Sequence, residues 1–249
     1  MTSVGEDVKR KEHKFPVIEI FGPTVQGEGA LCGTFTHFLR LGGCTYTCKW
    51  CDSMHAVDPK QIKANRTMMT ATDIYENLCT LRPVHWVTIS GGDPCIHKHL
   101  HEVINVLKRR FRVAIETQGA IWNDWLRLCD FVTISPKGPS SGMMTDYETL
   151  GKYLNELRQC CLKIVIFNDD DLQYAYEIHR NAPQIPMWLQ PGTEIDTSSE
   201  HKRDDILDRT AMIIAKVART IDSAEGFTSN VKIIPQMHTL IWPSEDQGR

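Results

Sequence analysis

The sequence predicts an α/β fold with six to seven mainly parallel strands, and three observations lead to that prediction. Short apolar runs alternate with amphipathic helical segments at least five times along the chain. The runs are almost continuously apolar, which is typical of parallel strands buried on both faces. Turns rich in glycine, proline or polar residues follow the runs. The chain shows no domain boundary and no internal repeat, and an open sheet and a partly closed barrel fit the pattern equally well.

The predicted strands follow from apolar or alternating runs that end at such turns. Residues 34–41 alternate and deliver the chain to Gly42 and Gly43, whereas residues 84–90 are a buried run that ends at GGDP, 91–94. In chain order, the segments that favour a strand, from which the six to seven strands of the sheet are expected, are 15–21, 34–41, 84–90, 111–117, 130–135, 161–167, 185–191 and 230–236.

The predicted helices follow from apolar residues at helical spacing. The helix over 70–81 begins with Thr and Asp residues suited to capping, and the helix over 100–110 ends in three basic residues, which the helix dipole favours. Residues 56–71 are polar and irregular, so we expect an exposed insertion there. The other predicted helices are 121–129, 146–159, 169–181 and 206–221, the last with Ile206, Thr210, Ile214, Val217 and Ile221 on one face.

Composition narrows the class of protein. The chain has 249 residues, of which 41% are hydrophobic and 24% charged, and this is ordinary for a soluble globular protein. No apolar run approaches the roughly 20 residues that cross a bilayer, and a net charge of −3 gives no sign of a nucleic-acid surface. Residues 1–14 are charged, so we expect a flexible lead-in rather than an export signal. Nine cysteines without such a signal favour a cytoplasmic protein with free thiols.

Three cysteines lie in the loop that follows the second predicted strand. Cys44, Cys48 and Cys51 are separated by three and two residues, and glycines precede them. Three thiolates can hold three corners of a [4Fe–4S] cube and leave the fourth iron open. The residues alone leave two alternatives, which are three buried inert thiols or a Cys3His zinc site completed by His55.

The turns after the other strands favour the cluster over zinc. They read GGDP, QG, PKGPSS, PG and MHT, at 91–94, 118–119, 136–141, 191–192 and 237–239. Catalytic groups gather at the carboxyl ends of parallel strands because the loops there converge. A structural zinc knuckle needs none of these turns.

Seven segments together resemble the 7-carboxy-7-deazaguanine synthase family of radical S-adenosylmethionine enzymes, especially its longer bacillus-type form. They are FGPTVQGEG, GGCTYTCKWCDS, TISGGDP, ETQG, TISPKGPSS, LKIVIFND and PQMHTLIW, at 21–29, 42–53, 88–94, 116–119, 133–141, 162–169 and 235–242. The resemblance covers residues 17–242. It implies a partial (β/α) barrel of the radical S-adenosylmethionine type over residues 15–249, with a C-terminal segment that closes on the site.

The resemblance also implies the reaction. In this family 6-carboxy-5,6,7,8-tetrahydropterin contracts to 7-carboxy-7-deazaguanine with loss of ammonia, on the route to queuosine, with a [4Fe–4S] cluster, S-adenosylmethionine and Mg²⁺. It implies an electron donor such as flavodoxin or ferredoxin and a homodimer, with no nucleic-acid or membrane partner. Two other functions remain open, a radical enzyme such as an activase that acts on a protein, and a zinc-stabilised binding module.

The resemblance also implies which residues of this chain form the site, from their positions in the matching segments. Cys44, Cys48 and Cys51 would ligate the cluster, and the Ser53 hydroxyl would ligate Mg²⁺. The residues implied to bind S-adenosylmethionine are Trp50, Cys51, Asp52, Gly91, Gly92, Glu116, Ser135, Pro136, Lys137, Gln190 and Pro191. The residues implied to bind the pterin are Val25, Gln26, Gly27, Glu28, Arg40, Ser90, Gln236 and His238.

Two of these residues suit the pterin chemically, and one position departs from the superfamily. Arg40 offers a planar, bidentate partner for the substrate carboxylate, and Glu28 can accept from two neighbouring N–H groups of the pterin. The superfamily often reads GGEP where this chain reads GGDP. Asp93 is one methylene shorter than Glu, which leaves a side-chain contact to the cofactor open, whereas the backbone carbonyls of Gly91 and Gly92 can still serve.

Overall fold

The computed structural model describes residues 12–193, 202–221 and 226–242. The strands in these ranges are β1 (Phe15–Val25), β2 (Phe35–Leu41), β3 (Thr67–Met69), β4 (Trp86–Gly91), β5 (Arg112–Thr117), β6 (Phe131–Ile134), β7 (Cys160–Ile166), β8 (Met187–Pro191) and β9 (Val231–Ile233). The α-helices are α1 (Pro59–Asn65), α2 (Ala71–Thr80), α3 (His101–Leu107), α4 (Tyr147–Glu156), α5 (Asp169–Asn181), α6 (Lys202–Ala218) and α7 (Met237–Ile241).

All the described strands form one sheet, in the order β3-β1-β2-β4-β5-β6-β7-β8-β9. The strands from β2 to β9 in this order pair in parallel, and β1 pairs antiparallel with both β2 and β3. The α/β prediction and its mainly parallel sheet are confirmed, but the described sheet has nine strands and not the six to seven predicted. The sheet is not a closed barrel, since β3 and β9 form its two edges.

The core lies between the sheet and its covering helices. Every residue of β7 is buried, as the apolar run at 161–167 predicts for a strand in the middle of a parallel sheet. The helix α2 begins with a capping box in which Thr70 and Asp73 bond each other's backbone N–H groups. No helix in the described ranges is long and apolar enough to span a membrane.

The segment 56–71 is largely exposed, as predicted, but the expectation that it is irregular is wrong. Asp58 caps α1 by accepting bonds from the N–H groups of Lys60 and Gln61, and Pro59 occupies the first helical position, where its missing N–H costs nothing. The strand β3 then pairs with the start of β1. These elements are too short and too exposed for a hydrophobic pattern to reveal them.

Three other boundaries differ from prediction. The strand β1 runs on to Val25, residues 124–128 form a 3₁₀ helix, and the expected tail after residue 236 contains α7. In α6, Ile213 is buried and Ile214 is 48% exposed. The buried face is therefore rotated from the predicted one, because α6 packs Ile206, Thr210, Ile213 and Val217 inward.

Candidate active site

One cavity opens where the parallel strands end, and it brings together most of the residues predicted for the site. Those that line it are Val25, Gln26, Gly27, Glu28, Arg40, Cys44, Cys48, Trp50, Cys51, Asp52, Ser53, Ser90, Gly91, Gly92, Glu116, Ser135, Lys137, Gln236 and His238. The predicted residues Pro136, Gln190 and Pro191 are not among its lining residues.

The loop that carries the three cysteines is fixed at both ends by backbone hydrogen bonds. Gly43 donates its N–H to the carbonyl of Ala56 at 2.8 Å, and Lys49 donates to the carbonyl of Ser141 at 3.0 Å. The three thiols are half-buried and free. Burial raises the pKa of each thiol, that of Cys51 to about 11. A cation in the loop would offset that burial and stabilise the thiolates.

The three cysteines and His55 do not form a preorganised zinc site. A tetrahedral zinc with Zn–S bonds of ~2.3 Å holds its sulfurs roughly 3.8 Å apart. In the described part of the chain, no set of three ligand atoms within 4.8 Å of one another includes any of these cysteines. The imidazole of His55 lies 3.8 Å from the carboxylate of Glu19. The Cys3His zinc arrangement is therefore not formed, whereas three thiols that line one cavity can each bind one iron of a [4Fe–4S] cube.

The GGDP turn is shaped by its contact with the cysteine loop. A Cβ on Gly91, whose φ is +145°, would lie 2.0 Å from the carbonyl oxygen of Leu41, and one on Gly92 would lie 2.2 Å from that of Gly43. The N–H of Asp93 donates to the Gly43 carbonyl at 2.7 Å. Gly92 is thus required for the turn to touch the cysteine loop, and Gly91 is required for its close approach to the end of β2.

The buried side chain of Asp93 stabilises this turn through hydrogen bonds. Its Oδ1 accepts from the hydroxyl of Thr117 at 2.8 Å and from the N–H of Cys95 at 3.2 Å. The side chain is buried, which raises the pKa of the carboxyl, and it does not line the cavity. In this structure the shorter Asp93 therefore holds the turn through Thr117 and Cys95.

A wall of the cavity beside the cysteine loop combines an aromatic ring with cationic and hydroxyl groups. Trp50 packs on Phe167 with ring centroids 5.1 Å apart and donates its Nε1–H to Ser140 at 2.9 Å. The ammonium group of Lys137 lies 5.5 Å from the centre of the Trp50 ring and donates to the hydroxyl of Ser135. This wall suits a ligand that has both a planar ring and an anionic group.

The side-chain amide of Gln190 lies on the face of the sheet that lines the cavity and has no hydrogen-bond partner among the described residues. It pairs in register with Val165 of β7, and Val165 lines the cavity, so both side chains project from one face of the sheet. Both polar atoms of the Gln190 amide are buried without a hydrogen-bond partner among the described residues. Such a group is costly unless a ligand satisfies it.

The opposite wall of the cavity holds a buried charged cluster. Lys163 donates to Oε2 of Glu28, and Gln236 donates to Oε1 of Glu28 at 2.6 Å. Burial alone would raise the pKa of Glu28, but the charges of Lys163 and His238 and the hydrogen bonds lower it to about 2. Glu28 is therefore an ionised acceptor inside the cavity.

The C-terminal segment closes on the VQGEG loop. The N–H of Met237 donates to the carbonyl of Gly27 at 3.0 Å, and Gln236 also accepts from Thr193 at 2.8 Å. A Cβ on Gly27 would lie 2.7 Å from Nδ1 of His238. The closing contact therefore depends on a residue without a side chain.

Arg40 and Ser53 lie together at the rim of the cysteine loop. Arg40 donates through Nε to Glu19, its antiparallel partner in β1, and through Nη1 to the hydroxyl of Ser53 at 3.4 Å. Ser53 in turn donates to Asp52 at 3.0 Å. Burial would raise the pKa of Glu19, but His55 and Arg40 lower it, so Glu19 holds the guanidinium in place as an anion.

Sequence reasoning missed two charged residues of this site, Lys163 and Glu19. Lys163 is the only charged residue in the apolar run 161–167, and a lone lysine in a strand buried on both faces signals a polar partner. Glu19 carries no such signal, because a single acid on the outermost predicted strand reads as a solvent-facing residue.

Comparison with known proteins defines the class of this one. Residues 25–130 match the family described as a 4Fe-4S single cluster domain. The fold is similar to that of SuiB from Streptococcus suis, with a TM-score of 0.54, 14% identity and coverage of 81% of this chain and 51% of the other. The matched segment therefore indicates an iron–sulfur cluster domain, and the fold is shared with a protein whose crystal structure contains S-adenosylmethionine.

Closer relatives define the family. The chain is 39% identical to the 7-carboxy-7-deazaguanine synthase of Bacillus cereus, over 92% of this chain and 97% of the relative. It is 41% identical to that of Bacillus subtilis, over 91% and 96%. The crystal structure of QueE from Escherichia coli matches with a TM-score of 0.66 and 25% identity, over 90% and 95%. The chain belongs to the 7-carboxy-7-deazaguanine synthase family, as the sequence predicts.

Proposed function

We propose that this enzyme contracts 6-carboxy-5,6,7,8-tetrahydropterin to 7-carboxy-7-deazaguanine and releases ammonia. The observation that carries the proposal is the single cavity in which the three-cysteine loop faces the ionised Glu28. When bound, the [4Fe–4S] cluster and S-adenosylmethionine supply a 5′-deoxyadenosyl radical, which takes a hydrogen atom from the substrate. The proposed reaction needs the source of the radical and the residue that binds the pterin in the same enclosed space. The cysteine loop and Glu28 meet that need because both line this cavity.

The chain's own residues bind and orient the two organic molecules. Cys44, Cys48 and Cys51 hold the cluster. The ring of Trp50, with Lys137 beside it, positions S-adenosylmethionine, and the amide of Gln190 gains the partner that it lacks among the described residues. The backbone of the GGDP turn bounds this region because Gly92 packs directly on the cysteine loop and Gly91 on the end of β2.

Glu28 and Arg40 recognise opposite ends of the pterin in this proposal. An ionised carboxylate accepts two parallel N–H groups from the guanidine-like edge of the ring. The guanidinium of Arg40 binds the substrate carboxylate, and its Nε bond to Glu19 fixes the plane of the group. Gln26 donates to Glu116 at 3.0 Å. This hydrogen bond links the proposed pterin-binding residues to the proposed S-adenosylmethionine-binding residues.

Mg²⁺ is proposed to bind at Ser53, beside Asp52. A hydroxyl supplies one oxygen to a hard cation that keeps several waters and takes its other ligands from the substrate. Ser53 lies within 3.4 Å of Arg40, so an ion there would reach the same carboxylate that Arg40 binds. We also propose a small reductant of the flavodoxin or ferredoxin type and a homodimer, as the family resemblance implies.

The test is an anaerobic assay of the reconstituted enzyme. The protein is supplied with iron and sulfide and then with S-adenosylmethionine, reductant, Mg²⁺ and 6-carboxytetrahydropterin. Formation of 7-carboxy-7-deazaguanine with one ammonia per turnover supports the proposal. Cleavage of S-adenosylmethionine without that product would keep the radical chemistry and move the substrate to another class, such as a protein.

A further inference from the structure

A second cluster of ligating side chains lies outside the active-site cavity. His13, His99 and Glu102 each offer one ligand atom, and the three atoms all lie within 4.8 Å of one another. Nδ1 of His13 is 2.8 Å from Oε1 of Glu102, and the rings of His13 and His99 stack with centroids 3.7 Å apart. None of the three lines the active-site cavity.

Ordered elements hold these side chains from two distant parts of the chain. One residue, Lys14, separates His13 from β1, and β1 is paired with β3 from Phe15 onward. His99 lies in the turn before α3, and Glu102 lies in the first turn of that helix. The ring of Phe15 packs edge-on against His97 at 6.3 Å, so the two segments are already in contact beneath the cluster.

The donor set selects the type of cation. Zn²⁺ binds imidazole nitrogen at ~2.0–2.1 Å and carboxylate oxygen at ~2.0–2.2 Å, which places adjacent ligand atoms roughly 3.3 Å apart. The His13–Glu102 pair needs only a small side-chain rotation to reach that separation. Two imidazoles and one carboxylate favour a borderline metal over Mg²⁺ or Ca²⁺, which need mainly oxygen ligands. Two of the three residues are exposed, which leaves water as the fourth ligand.

We propose that His13, His99 and Glu102 form a surface site for Zn²⁺ that fastens the segment before β1 to the start of α3. The ion replaces a single hydrogen bond between an imidazole and a carboxylate with three bonds to one centre. It joins residues 86 and 89 positions apart. The site stands independently of the proposed reaction, since it shares no residue with the cavity.

The experiment is equilibrium dialysis of the cluster-loaded enzyme against micromolar Zn²⁺, with zinc and iron measured per chain. About one zinc per chain with unchanged iron is the expected result, because the iron count shows that zinc has not entered the cysteine loop. His99→Ala and Glu102→Gln are expected to weaken zinc binding at least about tenfold. His85→Ala is the matched control, an exposed histidine outside the cluster, and it is expected to bind zinc like the parent.

A second readout follows the chain segment itself. Lys14 is exposed beside His13, so Zn²⁺ is expected to slow trypsin cleavage after Lys14 in the parent and in His85→Ala, but not in His99→Ala. Absence of zinc from the parent would overturn the proposal. Undiminished zinc in both His99→Ala and Glu102→Gln would overturn it equally.

Discussion

Lys163 of β7 and Glu28 of the loop after β1 form an ion pair inside the cavity, although 135 positions separate them in the sequence. Both side chains are almost wholly buried. Burial would discharge either group alone, but Glu28 raises the pKa of Lys163 while Lys163 lowers that of Glu28. Each charge therefore depends on the other.

Lys163→Met is expected to lower the free energy of unfolding by about 3 kcal/mol, because it leaves a buried carboxylate without its cation. The double variant Lys163→Met/Glu28→Gln is expected to recover part of that loss, since no buried charge remains. Chemical unfolding measures both. Lys108→Met is the control, because its pair with Asp130 is far more exposed, and it is expected to cost less than ~1 kcal/mol.

The same pair predicts a pH dependence. The pKa of Glu28 is lowered from 4.5 to about 2 on folding, so its contribution to stability is full above pH 4.5 and is lost as the pH falls towards 2. The stability difference between the parent and Lys163→Met is expected to shrink when unfolding is repeated at pH 3. An equal difference at pH 3 and pH 7 would mean that the lost stability arises from packing.

Much of the fold was predictable because hydrophobic periodicity reports burial. The run at 161–167 indicates a strand in the middle of a parallel sheet, and β7 is such a strand. The exposed elements α1 and β3 were missed because caps and edge pairing stabilise them, and neither leaves a periodic pattern.

Most of the residues that line the cavity were predictable from the sequence, but the contacts between them were not. Spacing identified the three cysteines, and turns after strands identified GGDP, since both are local features of the sequence. The partners of Glu28 and Arg40 are Lys163 and Glu19, and these pairs depend on strand order and register, which one sequence does not reveal. The binding functions of the site residues stay predictions until the variants below are measured.

Cys48→Ala is expected to abolish cluster assembly without unfolding the protein. The cysteine lies half-buried in a surface loop outside the core, so its loss removes a ligand and little packing. Iron content and the visible absorption of the reconstituted variant measure the cluster, and circular dichroism measures the fold. Cys79→Ala, a half-buried thiol in α2, is expected to keep its iron. A parent protein that holds zinc and no iron would contradict the cluster assignment.

Gly27→Ala is expected to displace the C-terminal segment from the cavity. The new Cβ would lie 2.7 Å from Nδ1 and 2.9 Å from the backbone N of His238, so one of the two segments must move, at a cost of ~1–3 kcal/mol. Activity is expected to fall while cluster content stays at the parent level. Gly151→Ala is the control, because a Cβ there meets nothing within 4 Å. Equal activity of Gly27→Ala and Gly151→Ala would show that the contact between Gly27 and the C-terminal segment is not needed for catalysis.

Ser53→Ala is expected to raise the Mg²⁺ concentration needed for half-maximal rate by roughly tenfold, because one oxygen ligand is lost. Ser53→Thr keeps the hydroxyl and is expected to respond to Mg²⁺ like the parent. The rate is measured at several Mg²⁺ concentrations with saturating pterin. Identical Mg²⁺ curves for Ser53→Ala and the parent would remove Ser53 from the metal site.

Arg40→Ala is expected to weaken pterin binding at least about tenfold, since a hydrogen bond to a charged group is worth ~1.5–3 kcal/mol. S-adenosylmethionine cleavage without product is expected to continue, because Arg40 makes its hydrogen bonds with Glu19 and Ser53 rather than with Trp50 or Lys137. Pterin affinity and the ratio of cleavage to product are measured together. Arg112→Ala is the matched control, since that exposed arginine stacks on Trp86 at the opposite end of its strand. A parent-like pterin affinity in Arg40→Ala would assign the substrate carboxylate to another cation, and Lys163 would be the next residue to test.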